Sequence, residues 1–128
     1  MNLLLDTHVA LWTITDAPAL PASARALIAD PANEVWVSAV SVWEIAIKHG
    51  LGRGDMPLPG TEALGYFTEA GYRMLPITAS HAAAVALLPP HHQDPFDRLL
   101  VAQARAEPLR LLTHDATVAR YGEPVLWV

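Results

Sequence analysis

Two aspartates stand close behind short apolar segments, where helical patterns begin. Asp6 follows the apolar run at 3–5, and Asp115 follows a run that ends at Thr113. In an open parallel sheet, ligands bind in the crevice outside the carboxyl ends of the strands, so two such aspartates can face one crevice if their strands are neighbours. Aspartate is also a favoured N-cap residue, worth about 1 kcal/mol, and this structural role is the simpler explanation of either residue taken alone.

Among the acidic residues, Asp97 has the position that most favours a chemical role. The natural N-cap of its helix is Asp94, because Pro95 suits the first helical position. The residues three, four and seven positions after Asp97 are apolar, so its carboxylate is predicted to face inward with them. An inward carboxylate is costly unless it is paired or binds a metal, although an acid in the first turn can also assist capping. Asp97 is therefore a candidate metal ligand.

Glu44 lies on the border between two faces of its predicted helix. The apolar face contains Val40, Trp43 and Ile47. The polar strip contains Ser41 and Lys48. This spacing by itself favours an ordinary ion pair between Glu44 and Lys48, four residues apart and worth about 0.3–0.5 kcal/mol.

Four carboxylates that converge on one crevice would repel each other strongly. Mg²⁺ or Mn²⁺, which prefer oxygen ligands, would relieve that repulsion. Such an ion binds a phosphate oxygen and activates a water for in-line attack. The acidic residues are therefore compatible with metal-dependent phosphodiester chemistry, and their spacing alone supports nothing more specific.

Length and composition are those of one compact domain spanning 1–128. The chain has 128 residues, 52% of them hydrophobic, and no cysteine, which excludes a disulfide scaffold, a thiolate zinc site and a cysteine nucleophile. The longest apolar run, at 82–88, is far shorter than the ~20 residues that cross a bilayer, and the N-terminus lacks the basic region of a signal peptide. We therefore expect a cytoplasmic protein without a membrane segment, in which the four tryptophans belong mainly to the core.

The net charge of −5 argues against a protein that coats nucleic acid, since affinity for phosphate comes mostly from basic residues. Any nucleic-acid chemistry would have to be local and bridged by a metal. The basic candidates for phosphate contacts are Lys48, Arg53, Arg98 and Arg110. For Arg98, an ion pair with Asp94, four positions earlier, fits the pattern at least as well.

Four of the six histidines are close in sequence to the candidate acids. His8 and His114 each stand beside one of them and could contact a substrate, although the pattern alone does not favour that role. His91 and His92 precede the helix that carries Asp97 and are predicted to lie in a solvated loop.

The elements that must position these residues alternate between short apolar runs and helical periodicity, which predicts an α/β fold around a mostly parallel sheet. The predicted strands lie at 3–5, 35–38, 74–77, 110–113 and 125–128. The predicted helices lie at 7–14, 23–29, 39–49, 61–70, 80–88 and 95–107, with a further helix opening at Asp115.

Five short strings of the sequence resemble the PIN domain family, and more closely its VapC-type toxin branch. They are LLDTH at 4–8, SVWEIAIK at 41–48, HQDPFDR at 92–98, LVAQA at 100–104 and LTHD at 112–115. The strings occur in the family's order and cover nearly the whole chain, which makes the resemblance far more specific than any one of them.

The resemblance implies a three-layer α/β/α fold and an endoribonuclease that depends on Mg²⁺ or Mn²⁺. By motif position, the four acids of the site are Asp6, Glu44, Asp97 and Asp115, all of them candidate metal ligands and catalytic residues. The resemblance thus gives Glu44 a role in the site, although its spacing alone favours an ordinary ion pair with Lys48. Next to these acids, the candidates for substrate contacts are Thr7, Arg98 and Thr113.

The resemblance also implies partners. VapC-type proteins usually pair with a small VapB-like antitoxin whose C-terminal segment masks the acidic site, often with an arginine, and they usually form homodimers. The alternative reading is a catalytically silent PIN-like module that only dimerises or binds a partner. The presence of all four acids argues against that alternative.

Overall fold

A five-stranded, fully parallel sheet forms the centre of the molecule, which the computed structural model describes over residues 1–128. Its strands are β1 (Asn2–Leu5), β2 (Glu34–Ser38), β3 (Arg73–Leu75), β4 (Arg110–Thr113) and β5 (Val125–Trp127), in the spatial order β3-β2-β1-β4-β5. The central strand β1 pairs with both β2 and β4. Its residues Leu3, Leu4 and Leu5 are fully buried, as expected for a parallel strand covered on both faces.

Helices cover the two faces of this sheet. They are α1 (Thr7–Thr15), α2 (Ala22–Ala29), α3 (Ala39–Gly50), α4 (Gly60–Glu69), α5 (Ala79–Ala84), α6 (Pro95–Ala106) and α7 (Ala116–Ala119), with a 3₁₀ turn at Val85–Leu87. Leu5 and Leu112 pack into one core with α1, α2 and α4, whereas Leu4 and Leu111 pack into a second core with α6 and α7. Alternate strand residues thus serve opposite faces, and the predicted three-layer α/β/α fold is confirmed.

Two predicted elements differ from the observed ones because of prolines. The third strand ends at Leu75 rather than at residue 77, directly before Pro76, which has no N–H for a sheet ladder. The helix predicted at 80–88 divides into α5 and the 3₁₀ turn. Pro89 cannot donate an N–H to the carbonyl oxygen of Val85, which accepts the N–H of Leu88 and the guanidinium of Arg98, both at 3.2 Å.

The prediction of the apolar face of α3 is right for Val40 and wrong for Trp43 and Ile47. Its buried residues are Val40, Ser41, Glu44 and Ile45. Trp43 and Ile47 are 53% and 38% exposed instead. Ser41 can be buried because the hydroxyl of Thr7 donates to its Oγ at 3.0 Å, so the polar strip of α3 faces α1 and the carboxyl edge of the sheet.

Two of the four tryptophans lie outside the core, contrary to expectation. Trp43 packs edge-on against Phe96 with ring centroids 5.1 Å apart, and Trp127 at the end of β5 is 60% exposed. Separately, none of the helices combines the length and the apolar character that crossing a bilayer requires.

Candidate active site

A cleft of about 370 Å³ opens at the carboxyl edge of the sheet, beyond the ends of β1 and β4. The strand order places β2 on one side of β1 and β4 on the other, so this edge is the switch point at which open parallel sheets bind ligands. The carboxylates that line the cleft are Asp6, Glu44, Asp94, Asp97 and Asp115. The other lining residues are His8, Trp12, Lys48, Arg53 and His114. We call this cleft the acidic cleft; it brings together all four acids singled out in the sequence.

Asp6 is buried at the point where β1 ends and α1 begins. Its Oδ1 accepts the backbone N–H of Val9 at 2.9 Å, and its Oδ2 accepts the hydroxyl of Thr113 at 2.5 Å. Burial raises the pKa of the Asp6 carboxyl, and these two hydrogen bonds oppose the rise. Asp6 is therefore both the N-cap of α1 and part of the acidic cleft, so the two roles are not alternatives.

Asp97 lies in the first turn of α6, and its side chain is 20% exposed. Burial is the main cause that raises its pKa, and the charges of the other four carboxylates of the acidic cleft add to the rise, to a value of about 8. The Nε2 of His92 lies 3.4 Å from its Oδ2. The side chain faces inward, as predicted, and its negative charge is unfavourable there. A bound proton or a nearby cation would therefore stabilise this carboxyl.

Glu44 is 2% exposed and forms the predicted ion pair with Lys48 through its Oε2. The pair does not satisfy the whole carboxylate, because Oε1 is buried and has no hydrogen-bond partner. Only one other buried side-chain polar atom in the chain lacks a partner, the indole nitrogen of Trp36. An unpartnered carboxylate oxygen in a cleft is an available ligand for a cation.

Asp115 and Asp94 are N-caps whose carboxylates also line the acidic cleft. Asp115 accepts the N–H of Thr117 at 2.8 Å and opens the short helix α7. Asp94 accepts the N–H groups of Phe96 and Asp97 at 2.9 and 3.1 Å. The sequence gave Asp94 a capping role and an ion pair with Arg98, but no place in the site; its position three residues before Asp97 was the signal for a fifth acid.

An aromatic wall and a short loop complete the acidic cleft. The ring of Trp12 lies 5.9 Å from that of His8 and 6.0 Å from that of His114, between centroids. On another side, Arg53 reaches the cleft from the loop between α3 and α4. That loop is tied to α1 by Asp55, whose carboxylate lies 3.2 Å from His8 Nε2, a contact that lowers the pKa of Asp55. The sequence did not single out Trp12.

The two threonines proposed as substrate contacts instead support the site from below its surface. Thr7 is 2% exposed and donates to Ser41, while Thr113 is fully buried and donates to Asp6. Because neither hydroxyl reaches the surface of the cleft, the structure assigns them to positioning α3 and Asp6.

Arg98 is not part of the acidic cleft either. Its guanidinium donates to the carbonyl oxygens of Val85, Leu88, Pro89 and His92 and to the hydroxyl of Tyr121, at 3.0–3.5 Å. It makes no ion pair with Asp94, so both roles predicted for it are replaced by an anchoring one. Arg110, at the opposite edge of the sheet, lies 3.7 Å from Glu123.

The prediction of a solvated loop is wrong for His92. Its side chain is 15% exposed, and its Nδ1 lies 2.7 Å from the hydroxyl of Tyr121. The ring of His91 packs edge-on against the same tyrosine, with centroids 4.9 Å apart. The hydroxyl and the ring that these histidines contact come from Tyr121, far along the chain, which is why the local sequence gave no sign of this arrangement.

The donor set of the acidic cleft fits a small divalent cation. All five acidic side chains offer oxygen, the ligand that Mg²⁺ prefers, and both the raised pKa of Asp97 and the unpartnered Glu44 Oε1 favour an added positive charge. No group of three or more His, Asp or Glu side chains is arranged so that together they could hold a metal ion. Mg²⁺ usually retains several waters and takes few protein carboxylates, so an open arrangement suits it.

Comparison with known proteins agrees with this geometry. The sequence matches the PIN domain family over residues 3–124. Ribonuclease VapC22 of Mycobacterium tuberculosis is 33% identical over 124 residues, which cover 96% of this chain and 94% of that relative.

Two solved structures share the fold. VapBC2 from Rickettsia felis, bound to a DNA fragment from its promoter, aligns with a TM-score of 0.70 at 16% identity and covers 100% of this chain and 98% of that chain. VapBC-1 from nontypeable Haemophilus influenzae aligns with a TM-score of 0.67 at 18% identity and covers 100% and 97%. With a family match over nearly its full length and a relative at 33% identity, this chain belongs to the PIN domain family.

Proposed function

We propose that this protein is an endoribonuclease that depends on Mg²⁺, with Mn²⁺ as a substitute, and that it is the toxin of a VapBC-type toxin–antitoxin pair. The observation that carries the proposal is the convergence of Asp6, Glu44, Asp97 and Asp115, from four separate segments, on one cleft at the switch point of the sheet. The name of the relative, Ribonuclease VapC22, supports RNA as the substrate.

The four acids are proposed to have different roles in binding the ion. Asp6 and Asp97 are the principal metal ligands, and the exposed Asp115 is an outer ligand. Glu44 binds through a water or orients the attacking water. When bound, the ion supplies Lewis-acid activation of water and phosphate.

Neighbouring groups keep these carboxylates in place. The hydroxyl of Thr113 and the N–H of Val9 fix the two oxygens of Asp6. Lys48 holds one oxygen of Glu44, and the other is buried without a hydrogen-bond partner. The carboxylates are therefore oriented before any substrate arrives.

The walls of the acidic cleft suit single-stranded RNA. The rings of His8, Trp12 and His114 offer stacking surfaces for unpaired bases. Arg53 is placed to contact a phosphate, and with Lys48 it is one of two non-histidine cations that line the cleft. Because so few cations line the cleft, RNA binding there depends on the metal ion to offset the negative charge of the carboxylates.

A VapB-like antitoxin and a second copy of the chain are the proposed protein partners, in the cytoplasm. The solved relatives named VapBC2 and VapBC-1 support the antitoxin. Five carboxylates against one lysine and one arginine make the acidic cleft complementary to a basic side chain from such a partner.

The metal requirement is tested by incubating the purified protein with total RNA and sequencing the new RNA ends. We expect cleavage with Mg²⁺ or Mn²⁺, and little with Ca²⁺, which takes more oxygen ligands in looser geometry. Full activity in excess EDTA would contradict the proposal.

Asp6→Asn is the matching variant, because the asparagine oxygen caps a helix as well as aspartate does, while its amide N–H can donate to the hydroxyl oxygen of Thr113. We expect it to lose cleavage and keep its fold. Asp16→Asn makes the same chemical change at an exposed residue with φ of 50°, which asparagine tolerates, and should retain full activity. If no RNA is cleaved with either metal while a partner is still bound, the silent binding module is the better description.

A further inference from the structure

Arg98 begins a chain of hydrogen bonds that ends at the acidic cleft. The guanidinium has only donors, and one of its N–H groups lies 3.0 Å from the hydroxyl oxygen of Tyr121. Its other contacts are all carbonyl oxygens, which hold the guanidinium in one position. Tyr121 is 5% exposed, and its hydroxyl lies within hydrogen-bond distance of both Arg98 and His92.

The hydroxyl of Tyr121, which accepts from Arg98, can in turn donate to His92. Because its oxygen already accepts from Arg98, its own hydrogen is free to be donated, and His92 Nδ1 lies 2.7 Å away. A neutral imidazole that accepts at Nδ1 carries its proton on Nε2. That nitrogen is the one that lies 3.4 Å from Oδ2 of Asp97.

Once Asp97 is ionised, as a metal ligand must be, the far end of the chain favours the same tautomer. An ionised Asp97 only accepts hydrogen bonds, so a lone pair on His92 Nε2 would repel it, whereas an N–H attracts it. Asp97 Oδ1 has no hydrogen-bond partner, and Oδ2 has His92 alone. The hydrogen bond therefore leaves one oxygen of Asp97 directed away from His92.

From this geometry we infer that His92 is a positioning residue for Asp97, and that Arg98 and Tyr121 set the tautomer in which it acts. The inference rests on the proposed function, since Asp97 is a metal ligand only there. It also gives a role to His92 and Arg98, two of the residues of the HQDPFDR string that do not line the cleft. Residues that orient metal ligands in this way are typically worth 10–100-fold in metal affinity.

Metal affinity is measured by titrating the metal-free full-length protein with Mn²⁺ in a calorimeter, with the melting temperature recorded for each variant. We expect His92→Ala to weaken Mn²⁺ binding about 10–100-fold. His92→Gln keeps a donor near the position of Nε2 and should stay within about 3-fold of the unsubstituted protein. Tyr121→Phe keeps the ring and should show an intermediate loss.

His91→Ala is the matched control. His91 packs against the same Tyr121 ring as His92 does, but it makes no hydrogen bond to Asp97. Its removal should therefore leave the Mn²⁺ affinity unchanged. Equal losses in His91→Ala and His92→Ala, or no loss in His92→Ala, would overturn the positioning role. Rescue by His92→Gln at an unchanged melting temperature supports it, because a purely structural role would not respond to the donor.

The tautomer is read directly by ¹⁵N NMR of the histidine rings in the metal-free protein above pH 8, where Asp97 is ionised. We expect a protonated Nε2 and an unprotonated Nδ1 for His92, and a mixture of both tautomers in Tyr121→Phe. A protonated Nδ1 in the unsubstituted protein would overturn the inference whatever the metal does. If the predicted tautomer is found but the unsubstituted protein binds no Mn²⁺, the proposed function fails and the positioning role with it, a result distinct from the first.

Discussion

Helix α6 contributes polar residues to two clusters that lie at its opposite ends and differ in how well they are satisfied. Asp97, in its first turn, belongs to the acidic cleft. Gln103, six residues and about 9 Å further along the helix axis, belongs to a second cluster that we call the glutamine network, formed by Ser38, Gln103, His81 and Glu107.

Every side chain of the glutamine network has a partner. Ser38 donates to Gln103 Oε1 at 2.6 Å, and Gln103 Nε2 donates to the carbonyl of Pro76 at 3.2 Å and faces His81 Nδ1 at 3.3 Å. His81 Nε2 pairs with Glu107. In the acidic cleft, by contrast, like charges face each other, and a buried oxygen of Glu44 has no partner.

The difference separates stability from function within one helix. A fully satisfied buried network stabilises and specifies the fold. A cluster of carboxylates that raises the pKa of its own members costs stability until a cation arrives. Substitutions in the two clusters should therefore change stability in opposite directions.

The largest effect is expected for Asp97→Asn. Removing this carboxylate should lower RNA cleavage by on the order of 10³-fold or more. The same change removes a repelling charge, so the free energy of unfolding of the metal-free protein should stay equal or rise. Single-turnover cleavage and urea unfolding measure the two quantities. A variant that is less stable and still active would show that Asp97 is only a structural residue.

Gln103→Met is the counterpart in the glutamine network, with similar volume and no hydrogen bonds. It leaves the buried Ser38 hydroxyl and the Pro76 carbonyl without their partner, so the free energy of unfolding should fall by about 2–4 kcal/mol. Cleavage by the folded fraction should fall less than 10-fold, since the acids are unchanged. A stability equal to that of the unsubstituted protein would remove the contrast between the two clusters.

The pH dependence of the free energy of unfolding should show what it costs to ionise Asp97 in the acidic cleft. Burial and neighbouring carboxylates raise the pKa of Asp97 from 3.8 to about 8, so the folded protein holds this proton more tightly than the unfolded chain. The free energy of unfolding therefore falls as the pH rises from about 4 to about 8.

Asp97→Asn lacks this contribution, and its stability advantage should grow over the same pH range, by about 2 kcal/mol, reduced from the full shift because the carboxyl is partly exposed to solvent. Urea unfolding of both metal-free proteins at a series of pH values measures it. Parallel curves for the two proteins would mean that the carboxyl of Asp97 titrates normally.

The smallest effect concerns salt. Only Lys48 and Arg53 of the four basic candidates line the acidic cleft, and Lys48 is paired with Glu44. Binding of single-stranded RNA to the inactive Asp97→Asn protein in Mg²⁺ should therefore weaken with a slope of about 1–2 in log K against log salt. A slope of six or more, unchanged by EDTA, would indicate a broad basic surface outside the cleft.

The sequence alone was sufficient to predict an α/β fold around a parallel sheet, whereas the meeting of Asp6 with Asp115 was predicted only on the condition that their strands are neighbours, as β1 and β4 are. Continuous apolar runs predict buried strands, and parallel strands end at the same edge, so acids that follow neighbouring strands must lie close together. Asp97 could be predicted to face inward because helical periodicity relates it to apolar residues of α6. Glu44 needed the family resemblance, since its own spacing favoured the ion pair, which is also present.

Only the tertiary structure decided how α3 is rotated and where Arg98 and His92 point. Periodicity relates residues to a helix axis, but the rotation of α3 depends on a hydrogen bond between Thr7 and Ser41, 34 residues apart. In the same way, the hydroxyl that joins Arg98 to His92 comes from Tyr121, 23 residues beyond the arginine. Long polar side chains have many rotamers and take the one that satisfies their donors, and those partners exist only once the chain has folded.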